Sequence, residues 1–81
     1  ARLFPNPAAG KVCLRVKTEN NEMLRITITD AQGKTVMQQQ QAAQARQQQD
    51  IWLNTQELAA GLYLVKLETK TGMQVLRLGI E

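Results

Sequence analysis

A two-residue alternation of apolar and polar side chains recurs along this chain and constrains its fold more than any other feature. In residues 11–17, KVCLRVK, every second residue is aliphatic, and residues 23–29, MLRITIT, repeat the pattern with mostly β-branched apolar residues. Such alternation is typical of a β-strand with one buried and one wet face. The sequence therefore predicts strands in both segments.

Five further segments read as strands, and turn signals separate them. They are RLF near the start, a segment around residues 34–37, DIWL, LYLVKLE and MQVLRLGI. The intervening TENNE, DAQGK and TKTG are rich in the residues that favour turns. Seven short strands at nearly regular spacing, without long helical crossovers, favour an antiparallel β-sandwich over parallel βαβ units. We expect an all-β fold.

The glutamine-rich segment, residues 37–50, is ambiguous. Alanine, glutamine and arginine favour helices, so a short helix is one interpretation. However, the segment has no apolar stripe by which a helix would pack against a core. We prefer two strand ends joined by a mobile loop around residues 42–46. A glutamine-rich interaction tract is the weaker functional interpretation.

Both prolines lie near the start, in LFPNPAAGK. Proline fixes φ, lacks an N–H donor and biases the preceding residue toward extended geometry, so we expect residues 3–7 to be extended. Asn6 can close a turn with its side chain, and Gly10 can adopt a positive φ. The stretch predicts a short edge strand that ends before a longer strand begins.

The composition limits the kinds of partner. Eighty-one residues make one domain, and its net charge of +3 comes from basic residues scattered singly along the sequence. The three aromatics, Phe4, Trp52 and Tyr63, are far apart, so we expect no nucleic-acid partner. No apolar stretch approaches the ~18 residues of a membrane helix, and no signal peptide is recognisable, so we expect no direct membrane insertion.

The residues that usually carry catalysis are scarce. The chain has no histidine, one cysteine, no glycine-rich phosphate loop and no paired acid cluster. We therefore predict no enzymatic activity, no metal and no cofactor. Cys13 is expected to be a small packing residue without a disulfide partner. Because the sequence begins with alanine, we expect residues 1–81 to be a single domain excised from a longer protein, or a processed product.

A second informative stretch is NTQELAAGLYLVKL, residues 54–67. Leu58 is a lone apolar residue in a polar turn, where it can close one end of a core. Gly61 allows the chain to swing into the next strand, and Tyr63 follows at once. A tyrosine after such a corner can bury its ring and use its hydroxyl to bond backbone.

Four motifs in order resemble the C-terminal sorting domain of the type IX secretion system of Bacteroidota, over nearly the whole chain. They are an opening Pro-Asn-Pro, an Asp-x-x-Gly-basic-x-Val turn, a Leu-x-x-Gly-x-Tyr corner, and a final strand with a basic residue before an apolar end. The motif residues that we expect to be structural are Pro5, Asn6, Pro7, Gly10, Asp30, Gly33, Leu58, Gly61 and Tyr63.

The resemblance implies a seven-stranded, immunoglobulin-like sandwich that serves as a secretion signal. In the family this domain directs its cargo across the outer membrane and is recognised by the translocon and an outer-membrane shuttle protein. A sortase then usually removes it as the cargo is attached to anionic lipopolysaccharide or released. The implied location is the periplasm in transit, then the outer membrane, the cell surface or the medium.

A physical route to recognition follows if residues 73–80 form an edge strand. Unpaired backbone groups of such a strand can extend a sheet in a receptor, with alternate side chains giving specificity. The same edge makes a homodimer plausible. The candidate recognition residues are Met73, Val75, Arg77, Leu78, Gly79, Ile80 and Glu81.

The rival interpretation is a permanent immunoglobulin- or fibronectin-like module that binds carbohydrate or protein. Exposed aromatic side chains that stack on sugars would support it. Trp52 is the one candidate, because its alternation with Ile51 and Leu53 leaves it free to face outward.

Overall fold

Seven β-strands and no helix make up the computed structural model, which describes all 81 residues. The strands are β1 (Arg2–Phe4), β2 (Lys11–Lys17), β3 (Glu22–Thr29), β4 (Thr35–Ala43), β5 (Gln48–Asn54), β6 (Gly61–Thr69) and β7 (Gly72–Ile80). They form two antiparallel sheets, with strand orders β1-β2-β5 and β4-β3-β6-β7. The predicted all-β fold is confirmed. Nothing in the chain forms a helix with the length and apolarity to span a membrane.

The core lies between the two sheets and is built from the alternating aliphatic residues. On β2, Val12, Leu14 and Val16 point inward, and all three are buried. Each fully buried leucine or isoleucine contributes roughly 1.5–3 kcal/mol by leaving water. The core comprises Ala8, Val12, Leu14, Val16, Leu24, Ile26, Ile28, Ala43, Ile51, Leu53, Tyr63, Val65, Leu67, Leu78 and Ile80.

The glutamine-rich segment is strand rather than helix, but its predicted boundaries are wrong. β4 continues to Ala43 because it pairs with β3 residue for residue from Met37 onward, which satisfies the backbone without an apolar pattern. The connection to β5 is only residues 44–47. All four of its N–H groups donate hydrogen bonds; the acceptors, in chain order, are Gln49, Asn21, Thr18 and Gln44. In place of the predicted mobile loop, the structure therefore has a short hydrogen-bonded turn.

The proline stretch is less extended than predicted. The short strand is confirmed as β1, but it ends at Phe4, and residues 5–7 bend away from it. The peptide bonds that precede Pro5 and Pro7 are both cis. Gly10 adopts a φ of +95°, a region that side chains rarely enter, and so turns the chain into β2. The bend carries residues 5–8 from one sheet to the other.

The two predicted turn motifs hold the ends of the strands. Asp30 Oδ1 accepts hydrogen bonds from the N–H groups of Gln32 and Lys34, at 2.9 Å each, in the β3–β4 turn. At the corner before β6, the buried Tyr63 donates its hydroxyl proton to the Ala59 carbonyl at 2.6 Å. The prediction that Tyr63 bonds backbone is confirmed.

Replacing Tyr63 with phenylalanine removes this hydrogen bond and leaves the ring in place. We expect Tyr63→Phe to lower the free energy of unfolding by about 1–2 kcal/mol, because the Ala59 carbonyl loses its partner. Urea denaturation measures the change. Thr71→Val, at an exposed turn hydroxyl, is the control and changes stability far less. Equal stability of Tyr63→Phe and the native chain would contradict this account.

Candidate functional site

Strand β7 is an edge strand of the four-stranded sheet, which is the condition that the sequence analysis set for recognition through its backbone. It pairs with β6 along its full length, from Gly72 opposite Thr69 to Ile80 opposite Gly61. Its other side has no neighbouring strand in the sheet. The position at the edge makes β7 the natural candidate for contact with another protein.

The side chains of β7 divide between the two faces of the sheet. Met73, Val75 and Arg77 lie on the outer face and are exposed. Leu78 and Ile80 point into the core and are only 0% and 6% exposed. The expectation that these two could be read directly is therefore wrong for the folded domain, since their side chains pack between the sheets.

The C-terminal half of the β7 edge is not open, because Asn6 occupies it. The Asn6 side-chain amide donates to the Arg77 carbonyl at 2.9 Å, and its Oδ1 accepts from the Gly79 N–H at 2.9 Å. One carboxamide thus satisfies an outward C=O and an outward N–H two residues apart, as a residue of a neighbouring strand would. This contact gives the asparagine between two prolines its structural role.

Ala8 extends this cover to the end of the chain. Its N–H donates to the Gly79 carbonyl at 2.8 Å, and its carbonyl accepts from the Glu81 N–H at 3.0 Å. A Cβ at Gly79 would lie 3.4 Å from the Cβ of Pro7, which is van der Waals contact, so the two segments pack directly against each other. We call residues 6–8 and their contacts with residues 77–81 the edge clamp.

The N-terminal half of the β7 edge stays unpaired. In an antiparallel ladder, alternate residues direct both backbone groups away from the partner strand. The clamp contacts show that the backbone N–H and C=O groups of residues 77 and 79 point away from β6, so those of Met73 and Val75 also point away from β6. Their N–H and C=O groups have no hydrogen-bond partner. Their side chains are 61% and 50% exposed, so this short stretch offers both backbone and apolar groups.

The opposite edge of the same sheet, formed by β4, is covered in a similar way. Gln49 accepts from the Gln44 N–H at 3.0 Å and donates to the Ala42 carbonyl at 3.1 Å. Again one carboxamide spans a C=O and an N–H two residues apart. The unpaired part of this edge carries the exposed Gln38 and Gln40 in place of apolar side chains. The two edges therefore differ chemically where they are open.

The predicted motif residues do not converge on one site. Asn6 and Pro7, which follow Pro5, meet the end of β7. Asp30 with Gly33, and Leu58 with Gly61 and Tyr63, lie in two separate turns. They act as structural supports of the sheets. Sequence reasoning missed Ala8 and Gln49, because neither residue type signals an edge contact. The position of Asn6 between two prolines was the only sequence feature that drew attention to this part of the edge clamp.

The outer face of the three-stranded sheet carries the one ion pair of the structure. Arg15 meets Asp50 in a two-point contact, Nε to Oδ1 at 2.8 Å and Nη2 to Oδ2 at 3.0 Å. Hydrogen bonding from this guanidinium lowers the pKa of Asp50 below its ordinary value. Beside it, burial and then the nearby Asp50 carboxylate raise the pKa of Cys13.

One comparison with known proteins gives a match. The sequence model described as "Secretion system C-terminal sorting domain" matches residues 2–81. No curated protein and no solved structure matches the chain.

The edge clamp is tested by changing the Asn6 side chain while keeping its shape. Asn6→Asp keeps an acceptor for the Gly79 N–H but places a carboxylate oxygen against the Arg77 carbonyl. We expect the free energy of unfolding to fall by about 1–3 kcal/mol and hydrogen exchange at the Gly79 amide to accelerate. Urea titration and amide exchange by NMR measure the two effects.

Asn20→Asp is the matched control, since the Asn20 side chain makes no hydrogen bond. If Asn6→Asp were no less stable than this control, the clamp would contribute nothing to the fold.

The Arg15–Asp50 pair predicts a specific acid sensitivity. Because the folded pKa of Asp50 lies below its ordinary value of 3.8, the contribution of the pair is complete above that pH and is lost as the pH falls through the lower folded value. We expect the melting temperature of Asp50→Asn to lie below that of the native chain near neutral pH, with the gap narrowing below pH 3.8. Thermal melts over a pH series measure it; a gap independent of pH would contradict the assignment.

Proposed function

Because this chain belongs to the family of secretion system C-terminal sorting domains, the signals for type IX secretion, we propose that the secretion machinery reads it through the unpaired half of β7. A sorting signal of this kind interacts with that machinery and leads to export to the cell surface or beyond. The translocon and its outer-membrane shuttle protein are the receptors that we propose, during passage through the periplasm.

The observation that supports this proposal is the unpaired stretch around Met73 and Val75. A receptor strand laid along it would gain backbone hydrogen bonds from both residues without breaking any bond of the β6–β7 hairpin. The exposed apolar side chains of the two residues, followed by Arg77, would give that contact its specificity.

The clamped half of β7 sets a limit on this contact. Asn6 and Ala8 already use the outward groups from the Arg77 carbonyl to the Glu81 N–H. A receptor strand therefore pairs along residues 73–76 while the clamp stays closed. A second copy of this chain would use the same unpaired groups, so we infer that a homodimer and a receptor exclude each other.

We further propose that the domain is a substrate of the machinery and not a catalyst. Its first paired strand is β1, where Arg2 pairs with Arg15 of β2. A sortase that cleaves before Arg2 would release the cargo and leave all seven strands intact. The fold thus supports removal of the domain as a folded unit.

Proline substitutions at outward-facing N–H groups test the edge directly. In Val75→Pro, the lost N–H is unpaired in the folded domain, so the hairpin keeps its hydrogen bonds while the receptor loses a donor. In a reporter fused to these 81 residues and expressed in a type IX-competent bacterium, we expect Val75→Pro to reduce surface delivery and to retain the reporter in the periplasm. Immunoblots of cell fractions measure it.

Gln40→Pro is the matched control, because it removes an outward N–H from the other edge of the same sheet. Urea denaturation of both purified variants shows that they remain folded. Normal delivery of folded Val75→Pro, or equal loss with Gln40→Pro, would show that the β7 edge is not what the machinery reads.

A further inference from the structure

The outer face of the three-stranded sheet has a composition that its sorting role does not explain. Strand pairing places Phe4, Cys13 and Trp52 in one row across β1, β2 and β5. Trp52 is 53% exposed, whereas Cys13 in the middle of the row is fully buried. A large apolar side chain held open to solvent beside a buried thiol is the first unusual feature of this face.

The second feature is a concentration of positive charge. Strands β1 and β2 direct Arg2, Lys11, Arg15 and Lys17 to this face, and β5 opposes them with Asp50 alone. Four basic side chains and one carboxylate give this face a net charge of +3, which equals the net charge of the whole chain. Basic residues that are scattered along the sequence therefore meet on this face, because strand alternation and register bring together residues that are separated in sequence.

The charges are arranged over the aromatic rings. Lys11 Nζ lies 4.9 Å from the centre of the Trp52 ring system, and Arg15 and Arg2 lie 4.7 and 5.3 Å from the centre of the Phe4 ring. Such cation–π contacts hold the long basic side chains against the face. Arg15 is already paired with Asp50, which leaves Arg2, Lys11 and Lys17 without a carboxylate partner.

Beside Trp52 lies an open depression of about 530 Å³, lined by Ala9, Gly10, Lys11, Trp52, Leu53, Asn54 and Gln56. Gly10 lacks a side chain there, and the Gln56 side chain makes no hydrogen bond within the chain. The depression thus combines an aromatic face, an unpaired cation and uncharged hydrogen-bonding groups.

We propose that this face binds an acidic polysaccharide, with a sugar ring against Trp52 and the acidic groups on Lys11, Lys17 and Arg2. Aromatic rings pack against the C–H face of sugars, amide side chains bond hydroxyls, and the unpaired cations complement the negative charge. This contact goes beyond the sorting function and uses the sheet that does not contain β7.

Two observations favour a polysaccharide over a nucleic acid. Only one aromatic ring is mostly exposed: Trp52 is 53% exposed with Lys11 beside it, whereas Phe4 is half-buried under two guanidinium groups. Single-stranded nucleic acids, by contrast, stack successive bases on several rings. In addition, a type IX sorting domain is exported to the cell surface or beyond. We expect surface polysaccharide to be the polyanion that it meets there.

The test titrates polygalacturonate oligosaccharides into the 81-residue chain and follows the fluorescence of Trp52, the only tryptophan. We expect saturable quenching that weakens at least about tenfold between about 50 and 200 mM NaCl. Neutral dextran oligosaccharides of similar length should bind at least about tenfold more weakly, because they lack the charge that Lys11 and Lys17 complement.

Matched variants locate the site. By isothermal titration calorimetry, Lys11→Gln and Trp52→Leu should each weaken binding at least about fivefold, whereas Lys34→Gln, in the β3–β4 turn, should leave it unchanged. Urea denaturation shows that each variant is folded. Surface delivery of a reporter should be normal with Lys11→Gln and Trp52→Leu. This result would distinguish polysaccharide binding from recognition of the β7 edge by the secretion machinery.

Three results with the oligosaccharides and the variants would overturn the proposal. They are the absence of saturable polygalacturonate binding, equal binding of dextran, and an equal loss of affinity in Lys34→Gln. Tighter binding of a single-stranded thymidine oligonucleotide than of polygalacturonate would also overturn it, in favour of a nucleic acid.

Discussion

In each of the two stacked sheets, the outermost strands lack a neighbour on one side. The need to cover the unpaired backbone groups of these edges is the constraint on which the rest of the structure depends. The four-stranded sheet ends in β4 and β7, each nine residues long, so both present many unpaired backbone groups. Unprotected edges of this length invite uncontrolled pairing with other chains. In both cases a side-chain carboxamide, from Asn6 or Gln49, covers part of the edge.

These two contacts also explain how the sheets are joined. Asn6 lies in the β1–β2 connection, which leaves the three-stranded sheet to reach β7 and then returns to it. Gln49 lies at the start of β5, just after the β4–β5 turn that joins the two sheets. The crossing segments therefore close the sides of the core and cover the edges at once. What remains open on β7 is a short stretch with apolar side chains, which suits a domain that must stay folded and still be read by a secretion machine.

The sequence predicted the parts of this structure that depend on local patterns. Alternating aliphatics located β2, β3, β6 and β7, and the residues around Asp30 and Tyr63 predicted their turns, because strand period and turn geometry are properties of a few adjacent residues. The length of β4 was not predictable in this way. Glutamine has no strong pattern of its own, and only pairing with β3 makes that segment a strand.

The edge clamp and the basic face lay beyond sequence reasoning for a different reason. Asn6 and Arg77 are 71 positions apart, and nothing local in either residue indicates the other. Likewise, Lys11 and Trp52 become neighbours only through the register of β2 on β5. The outward direction of Trp52, by contrast, was predicted from alternation alone and is confirmed.

The burial of Cys13 has a consequence for the cargo that such a domain accompanies. Exported proteins pass through compartments where cysteines are oxidised, and the attacking species in thiol–disulfide exchange is the thiolate. The Cys13 thiol is inaccessible, and its raised pKa keeps it protonated. In the folded domain, Cys13 is therefore protected from thiol–disulfide exchange with the cysteines of a passenger.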